Sequence, residues 1–274
     1  MIGTSTSASI HALLARLQVE GAVLVHVEST EGSAPREAGT WMAVWAEGLT
    51  GTIGGGQLEF QAIREARDWL AGGTPIDGTR RYLLGPSLGQ CCGGVMFLSF
   101  RYVTASDTDA LQQSLAAQLR PLTPVALFGG GHVGAALARL LATLPFSVRW
   151  IDSRDGVFPA ALPAQIETEH SEPVQGAIAR LAPGSRVLIM SFSHAEDLDV
   201  VIACLQRLRT HDDLPYIGLI GSKTKWATFR HRLEARGFTP MEMDRVTCPI
   251  GIPGITGKEP EVIAVAVAAQ LLIS

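Results

Sequence analysis

The sequence is poor in charge, in aromatic side chains and in cysteine. Only 18% of its 274 residues are charged while 47% are hydrophobic, and a chain that stays disordered has the opposite balance. The net charge of −4 argues against the broad basic face with which proteins bind nucleic acid. Four cysteines in a chain of this length do not make a disulfide framework, so we expect reduced thiols.

Long apolar runs are lacking as well. No uninterrupted apolar stretch reaches the roughly 18 residues of a membrane-spanning helix, and Val262–Ile273 is short enough to be a packed helix. The N-terminal segment MIGTSTSASIHALLARLQ has neither the basic start nor the apolar run of a secretory signal. We therefore expect a cytoplasmic protein that does not bind membranes.

Glycine is the residue type in excess. It supplies 29 residues, roughly 11% of the chain where ~7% is usual. Sixteen of them lie in the segments 48–56, 85–94, 129–134 and 251–257, each beside a predicted strand end or helix start. Backbone can approach a ligand closely at such turns, so we interpret the excess as candidate ligand-contacting turns in two domains.

The predicted elements divide the chain into two domains of different kinds. Residues 1–104 mix short helices with strands and form an α+β domain. Residues 105–123 form a polar helical linker, which ends where two prolines follow closely. In residues 124–274 buried strands alternate with helices, as in a doubly wound parallel sheet. The predicted fold class is therefore α/β, with an N-terminal α+β domain followed by a Rossmann-like domain.

The second domain carries the motif GGGHVG directly after a predicted strand. Gly129 makes the tight turn, Gly131 lets backbone approach a phosphate and Gly134 lets the following helix pack on the strand. His132 lies inside the turn. Asp152, at the tip of the next strand, stands where a ribose-binding acid belongs. The turn either binds a dinucleotide, holds another phosphate, or serves packing alone.

A second glycine turn lies in the first domain, within the segment GTIGGGQLE. The successive glycines Gly54, Gly55 and Gly56 can expose a nest of N–H groups to an anion just before a helix that begins at Gln57. The alternative is a flexible turn in which Glu59 complements the helix dipole. On an adjacent loop, Arg36 either clamps a phosphate or carboxylate or is solvated.

The segment GPSLGQCCGG places two thiols between glycines. Cys91 and Cys92, preceded by Gln90, are suited to molybdenum, to sulfur transfer or to zinc. Zinc is disfavoured because the chain has no second C-x-x-C and no nearby histidine pair. The alternative is that the thiols are small buried hydrophobes. Cys204 is predicted to be in the core, and Cys248 is left open.

Two further helix starts follow strands at the carboxyl edge of the predicted parallel sheet. His194 follows one strand, although Ser193 as an N-cap explains part of that motif structurally. Ser222 and Lys223 follow the next strand. A lysine at a helix start opposes the helix dipole, so a bound anion there would rationalise Lys223.

In their order along the chain these segments resemble the XdhC/CoxI family, the xanthine dehydrogenase accessory proteins. The resemblance rests on GSAPREAGTWMAV, GTIGGGQLE, GPSLGQCCGG and LFGGGHVGAALARLLATLPFSVRWIDSRDGVFP. It continues through SHAEDLDVVIACL, PYIGLIGSKTKWATFRHRL and CPIGIPGITGKEPEVIAVAVAAQLL, and so covers nearly the whole chain. Two positions depart from the pattern, since Ala195 replaces the acid expected after His194 and Trp226 replaces a basic residue.

The resemblance implies a cytoplasmic chaperone for the molybdenum cofactor, without turnover of its own. Such a protein shelters molybdopterin while a cysteine desulfurase replaces an oxo ligand with sulfide, and then hands it to apo-xanthine dehydrogenase. The resemblance also implies a homodimer, with a molybdenum cofactor nucleotidyltransferase as a further partner. The positions that we assign to cofactor binding are Arg36, Gly54, Gly55, Gly56, Gln57, Glu59, Gln90, Cys91, Cys92, Gly129, Gly131, His132, Gly134, Asp152, His194, Ser222 and Lys223, with Cys91 and Cys92 as ligands of the molybdenum.

Two other functions stay open at this point. The glycine turn and Asp152 suit an NAD(P)-dependent oxidoreductase, although the second half contains no Tyr-x-x-x-Lys pair to donate a proton. The adjacent thiols Cys91 and Cys92 suit a sulfurtransferase, which would carry a persulfide on one of them.

Overall fold

A computed structural model describes residues 7–85, 93–117 and 121–274. The chain forms two compact units, which are divided between residues 120 and 121. The elements of the first unit are α1 (Ser7–Leu17), β1 (Ala22–Glu31), β2 (Trp41–Val44), β3 (Leu49–Gly51), α2 (Gly56–Leu70), β4 (Thr79–Leu83), β5 (Val95–Val103) and α3 (Thr108–Ala117). One turn of 3-10 helix, Ala105–Asp107, leads into α3.

The first unit is an antiparallel sheet with helices on both faces. Its strand order is β3-β2-β1-β5-β4. Side chains of β1 alternate between two cores: Val23 and Val25 pack with α2, whereas Leu24 packs with α1 and α3. Because both faces are covered, the central strands β2, β1 and β5 contain continuous apolar runs.

Helix α3 belongs to the first unit. The sequence predicts a linker over residues 105–123, but Leu111 and Leu115 of α3 are buried in the same core as Leu13 and Leu17 of α1. Their spacing of four residues places both on one face of the helix. The polar remainder of α3, which makes the segment resemble a linker, is the face turned to solvent.

The second unit begins where the strand–helix alternation begins. Its elements are β6 (Thr123–Phe128), α4 (His132–Leu141), β7 (Phe146–Asp152), β8 (Ile166–His170), β9 (Arg186–Ile189), α5 (His194–Thr210), β10 (Tyr216–Leu219), α6 (Lys223–Glu234), α7 (Pro240–Met243), β11 (Val246–Thr247) and α8 (Pro260–Ile273). The six strands are all parallel and lie in the order β11-β10-β9-β6-β7-β8. Counted within the unit this is 3-2-1-4-5-6, the order of the dinucleotide-binding Rossmann fold. The predicted fold class is confirmed.

Helices cover both faces of this sheet. On one face α4 and α8 pack against Val125 and Leu127 of β6. On the other face α5 and α6 pack against Ala126 and Phe128 of the same strand. Burial on two sides explains why the inner strands β6, β9 and β10 consist mainly of apolar residues.

Three short elements of the second unit differ from the sequence prediction. Helix α7, a single turn over Pro240–Met243, was not predicted. The alternation of strands and helices in the sequence predicts a helix over residues 173–181, and the structure has a 3-10 helix there, Val174–Arg180. Val174 and Ala177 lie three residues apart on its buried face, the spacing at which 3-10 side chains align. The strand β11 was not predicted, because two residues are too few to show a periodicity.

Candidate functional site

The strand order reverses between β6 and β9. The two strands are paired, yet the chain leaves β6 for α4 on one face and leaves β9 for α5 on the opposite face. In open α/β sheets ligands bind at such a reversal. The GGGHVG turn follows β6 and His194 follows β9, so two predicted motifs come together at this edge.

Two glycines of the turn are required by close packing. A Cβ at Gly134 would overlap the Gly129 carbonyl oxygen, and a Cβ at Gly129 would overlap the Met190 carbonyl oxygen. Gly129 also has φ of +120°, which side chains rarely allow. The indole Nε1 of Trp150 donates to the Gly129 carbonyl at 2.9 Å, which fixes the turn on β7.

The middle of the turn is open. An added Cβ at Gly131 would meet no described atom within 4 Å, and both Gly131 and His132 are exposed. Gly131 is the N-cap of α4 without a side-chain cap. The first N–H groups of a helix have no intrahelical acceptor and attract anions. This is the part of the turn that a phosphate could approach.

Asp152 lies beside the turn, as predicted, but its carboxylate is engaged. Its Oδ2 accepts from the Gly130 N–H at 2.6 Å, and Arg154 donates through its backbone N–H and its guanidinium. Burial opposes ionisation of Asp152, but these hydrogen bonds outweigh burial and lower its pKa below the ordinary value. Asp152 therefore ties β7 to the turn as an ionised group.

Arg154 is a residue that the sequence reasoning missed. Besides its pair with Asp152, its guanidinium carbon lies 4.6 Å from the ring centroid of Phe192. Hydrogen bonds to Asp152 raise the pKa of Arg154. An arginine two residues beyond a strand-end acid is a signal that could have suggested this pair.

The other predicted residues of this edge lie at helix starts. His194 is exposed at the start of α5, where the Ser193 side chain caps the helix by accepting from the Glu196 N–H at 3.2 Å. Ser222 caps α6 by accepting from the Lys225 N–H at 3.1 Å, and Lys223 is exposed. Because β10 is two strands from β6, Ser222 and Lys223 lie further along the edge than the glycine turn.

A buried ion pair that was not predicted joins α5 to α6. Lys225 Nζ lies 2.6 Å from Asp197 Oδ2 and donates to the Ile220 carbonyl at 2.9 Å. The other carboxylate oxygen of Asp197 accepts from the Ser191 N–H at 2.8 Å. The pair therefore fixes the segments that follow β9 and β10. An acid in the first turn of α5 was the available sequence signal.

In the first unit the glycine nest holds an internal anion. The Glu59 carboxylate accepts from the Ile53 N–H at 2.9 Å, from the Gly55 N–H at 3.1 Å and from the Thr52 hydroxyl. The Gly54 N–H donates to the Thr52 hydroxyl oxygen at 3.1 Å. Both interpretations of this motif are thus partly realised, because a nest forms and Glu59 is the anion that occupies it.

Three loops of the first unit meet beside this turn. A Cβ at Gly54 would come 2.9 Å from the Pro35 ring and 3.3 Å from Arg36 Cγ. A Cβ at Gly94 would overlap the Ser33 carbonyl oxygen. The segment that carries Arg36 therefore contacts both the GTIGGG turn and the glycines that end GPSLGQCCGG. Gly56 and Gln57, at the exposed start of α2, complete this face.

The predicted molybdenum ligands Cys91 and Cys92, with Gln90, lie outside the described residues. Within the described ranges no three His, Cys, Asp or Glu side chains are grouped closely enough to hold a metal ion. Cys204 is fully buried as predicted, and burial raises the pKa of its thiol. Burial also raises the pKa of Cys248 to about 11, so neither thiol is activated as a nucleophile.

The helices give no sign of a membrane segment. In the part of the chain that the structure describes, none combines the length and the apolar character needed to cross a bilayer.

Comparison with known families matches both units. Residues 125–271 match the XdhC Rossmann domain, and residues 15–82 match the XdhC and CoxI family. The chain belongs to the XdhC and CoxI family. The first match contains the GGGHVG turn and Asp152, and the second contains Arg36 and the GTIGGG turn, so the resemblance deduced from the motifs is confirmed.

Individual relatives of this XdhC-family chain are distant. Uncharacterized protein YqeB of Escherichia coli K12 is 27% identical over 257 residues, which are 91% of this chain and 42% of that protein. A crystal structure described as a xanthine dehydrogenase from Bacillus halodurans has a TM-score of 0.73 at 19% identity, covering 96% of this chain and 94% of the other. It shows the shared fold. A Rossmann-fold NAD(P)-binding family protein from Shigella flexneri reaches a TM-score of 0.35 at 13% identity, over 54% of this chain and 85% of its own.

Proposed function

We propose that this protein is an accessory protein that binds the molybdenum cofactor, supports its sulfuration and delivers it to an apo-dehydrogenase of the xanthine dehydrogenase type. The observation that carries the proposal is the open centre of the Rossmann turn in a member of the XdhC and CoxI family. A pterin cofactor ends in a phosphate, which is the chemical group that such a turn accepts.

The residues of the second unit fit that phosphate. Gly131 leaves the turn unobstructed by any described atom, and the first N–H groups of α4 stand behind it. His132 is exposed at the same place and adds a polar ring. Gly129 and Gly134 keep the helix close to the sheet, so the N–H groups are held in position before the ligand arrives.

The first unit contributes differently from what its glycine motif suggests. The N–H groups of Ile53, Gly54 and Gly55 are bonded within the chain, so they are not donors for a phosphate. Arg36, by contrast, is half-buried beside Gly54 and has neither an ion pair nor a hydrogen bond with any described residue. We assign to Arg36 the binding of a ligand oxyanion.

The thiols supply the soft ligands of the proposal. The bound cofactor would contribute a molybdenum–dithiolene group that can take up sulfide. Cys91 and Cys92 are the residues of the chain whose thiolates suit contact with that metal, and Gln90 would donate a hydrogen bond beside it. Their part in the proposal rests on the sequence motif GQCCGG.

The proposed partners are those that membership of the XdhC and CoxI family implies. A cysteine desulfurase would provide the sulfur as a persulfide, and a thiol reductant would supply the two electrons that release it as sulfide. Apo-xanthine dehydrogenase would receive the cofactor, and a nucleotidyltransferase is a further candidate. We also propose a homodimer. The chain itself would act by binding rather than by turnover.

Replacing both thiols tests the proposal. The double variant Cys91→Ala/Cys92→Ala should retain less molybdenum through a desalting column and should reconstitute less apo-dehydrogenase activity. Cys248→Ala is the control and should behave like the wild type, because Cys248 is packed against the core of the second unit. Equal retention in all three proteins would remove the cysteine pair from the site.

An NAD(P)-dependent oxidoreductase is the second candidate function. The strand order 3-2-1-4-5-6 favours it, since that order is typical of dinucleotide-binding domains. Tight binding of NADH together with hydride transfer to a small carbonyl compound would favour this function over the accessory role. A sulfurtransferase is distinguished by intact mass, which would show a persulfide on Cys91 or Cys92.

A further inference from the structure

The acid at the end of the second strand of a dinucleotide-binding Rossmann fold accepts hydrogen bonds from ribose hydroxyl groups. Asp152 has that position at the end of β7. Whether it can act in that way depends on how much of its acceptor capacity is free.

None of that capacity is free. An ionised carboxylate offers two oxygens with about four lone-pair sites. Oδ1 accepts from the Arg154 backbone N–H at 2.8 Å and from Arg154 Nε at 2.9 Å. Oδ2 accepts from the Gly130 N–H at 2.6 Å and from Arg154 Nη2 at 2.9 Å. The Asp152 side chain is only 1% exposed, so no ribose hydroxyl can reach an oxygen of this carboxylate.

The guanidinium that fills the carboxylate is itself held in place. Its carbon lies 4.6 Å from the Phe192 ring centroid, a geometry in which a cation is attracted to the ring face. Phe192 is 66% exposed, so its ring lies at the surface of the sheet edge beside the guanidinium. On the other side Val157 closes the turn, because an added Cβ at Gly130 would lie 2.7 Å from a Val157 methyl group.

We propose that Arg154 is a specificity-determining residue that occupies the ribose subsite of the Rossmann turn from within the chain, and that Asp152 is a positioning residue rather than a ribose ligand. The turn therefore discriminates against nucleotides whose ribose would be bound by Asp152, such as NAD(H) and ADP-ribose. This inference concerns the turn alone and does not depend on the proposed cofactor.

Removing the guanidinium should open the subsite. In Arg154→Ala, Asp152 still accepts from the backbone N–H groups of Gly130 and of residue 154. The two acceptor positions that the guanidinium filled become free. We expect the variant to bind ADP-ribose, measured by calorimetry, at least tenfold more tightly than the wild type. Arg149→Ala is the matched control. Arg149 lies on β7, as Asp152 does, but its side chain pairs with Glu167 and Glu169. This variant should bind ADP-ribose as the wild type does.

A second substitution separates ribose binding from a general loosening of the edge. In Arg154→Ala/Asp152→Asn the gain should disappear, because the amide lacks the second acceptor oxygen. A merely structural role of Arg154 would leave the gain unchanged by this substitution. Phe192→Ala, which releases the guanidinium without removing it, should give a smaller gain in the same direction.

Thermal melting checks that each variant is folded. A folded Arg154→Ala protein that binds ADP-ribose no more tightly than the wild type would overturn the proposal. So would tight binding by the wild type that Asp152→Asn abolishes. If Arg154→Ala does not fold, the ADP-ribose affinity of Phe192→Ala decides: a gain over the wild type supports the proposal, and no gain overturns it. Failure of cofactor binding in the wild type would contradict the proposed function and leave this inference intact.

Discussion

The glycines of the GGGHVG turn differ in the room that surrounds them. Gly134 faces the Gly129 carbonyl oxygen with no space for a methyl group, whereas Gly131 faces no described atom within 4 Å. The sequence motif predicted this division of roles, because the spacing of the glycines reflects where helix and strand must touch. The open position is the one assigned to ligand.

Alanine substitutions should separate the packing glycine from the open one. Gly134→Ala forces α4 away from β6, and we expect a loss of about 1–3 kcal/mol in the free energy of unfolding. Gly131→Ala has a compatible backbone, with φ of −73°, and should change stability by less than about 1 kcal/mol. Urea denaturation compares the two; equal losses would show that the contact between Gly134 and the Gly129 carbonyl does not limit packing.

The ionisation of Asp152 should make the free energy of unfolding depend on pH in a defined direction. Its pKa in the folded protein is lowered, so its ionised form stabilises the fold above the unfolded value of about 3.9. This contribution is lost as the pH falls through the folded pKa. The difference in unfolding free energy between wild type and Asp152→Asn should be constant from about pH 7 to 5 and shrink below about pH 4.

Asp155→Asn is the control for this pH series. Asp155 is exposed and accepts only the neighbouring Gly156 N–H in the described structure, so its substitution should leave the stability nearly unchanged throughout. A difference for Asp152→Asn that grows toward acid pH would contradict the assignment of Asp152 as an ionised positioning group.

At the scale of elements, the sequence was sufficient to predict the long strands and helices. It was not sufficient to predict which hydrogen-bond partners the polar side chains at the ends of these elements have. The mostly apolar residues 95–103, which follow the glycines of GPSLGQCCGG, predict a strand, and β5 has these bounds. The 3-10 helix and β11 are too short for that signal. Glu59 shows the other limit, since only the folded glycine backbone determines that its carboxylate turns back into the nest.

Removing the carboxylate of Glu59 should expose the nest at the start of α2. Glu59→Ala leaves the Ile53 and Gly55 N–H groups without their acceptor, and we expect a cost of about 1–3 kcal/mol. Inorganic phosphate should then raise the melting temperature of the variant more than that of the wild type. Glu47→Ala, at an exposed turn, is the control; phosphate effects equal in all three proteins would contradict the nest.

The ion pair between α5 and α6 should be costly to break from one side. Lys225→Met leaves the buried Asp197 carboxylate without its ion-pair partner, so we expect a loss of about 3 kcal/mol or more. Arg230→Met on the same helix removes a pair with the exposed Asp244 and should cost at most about 1 kcal/mol. Chemical denaturation measures both, and similar costs would show that the Asp197–Lys225 pair is solvated.

At the scale of the whole molecule, the sequence motifs were sufficient to place the chain in its family and to predict a Rossmann-like second domain. The spacing of Asp152 and Arg154 was a signal for a pair, but the motifs could not predict that Arg154 fills both carboxylate oxygens, because that geometry depends on the folded loop and on packing on Phe192. They also could not assign α3 to the first unit, since its buried face consists of only two leucines.

The central claim is that this XdhC-family protein carries the molybdenum cofactor, and native mass spectrometry of the freshly purified protein tests it most directly. The protein should be prepared in parallel from cells that make the cofactor and from cells that cannot. We predict an added mass that contains molybdenum and a phosphate-bearing pterin in the first preparation and its loss in the second. Protein of identical mass in both preparations, free of molybdenum and pterin, would contradict the claim.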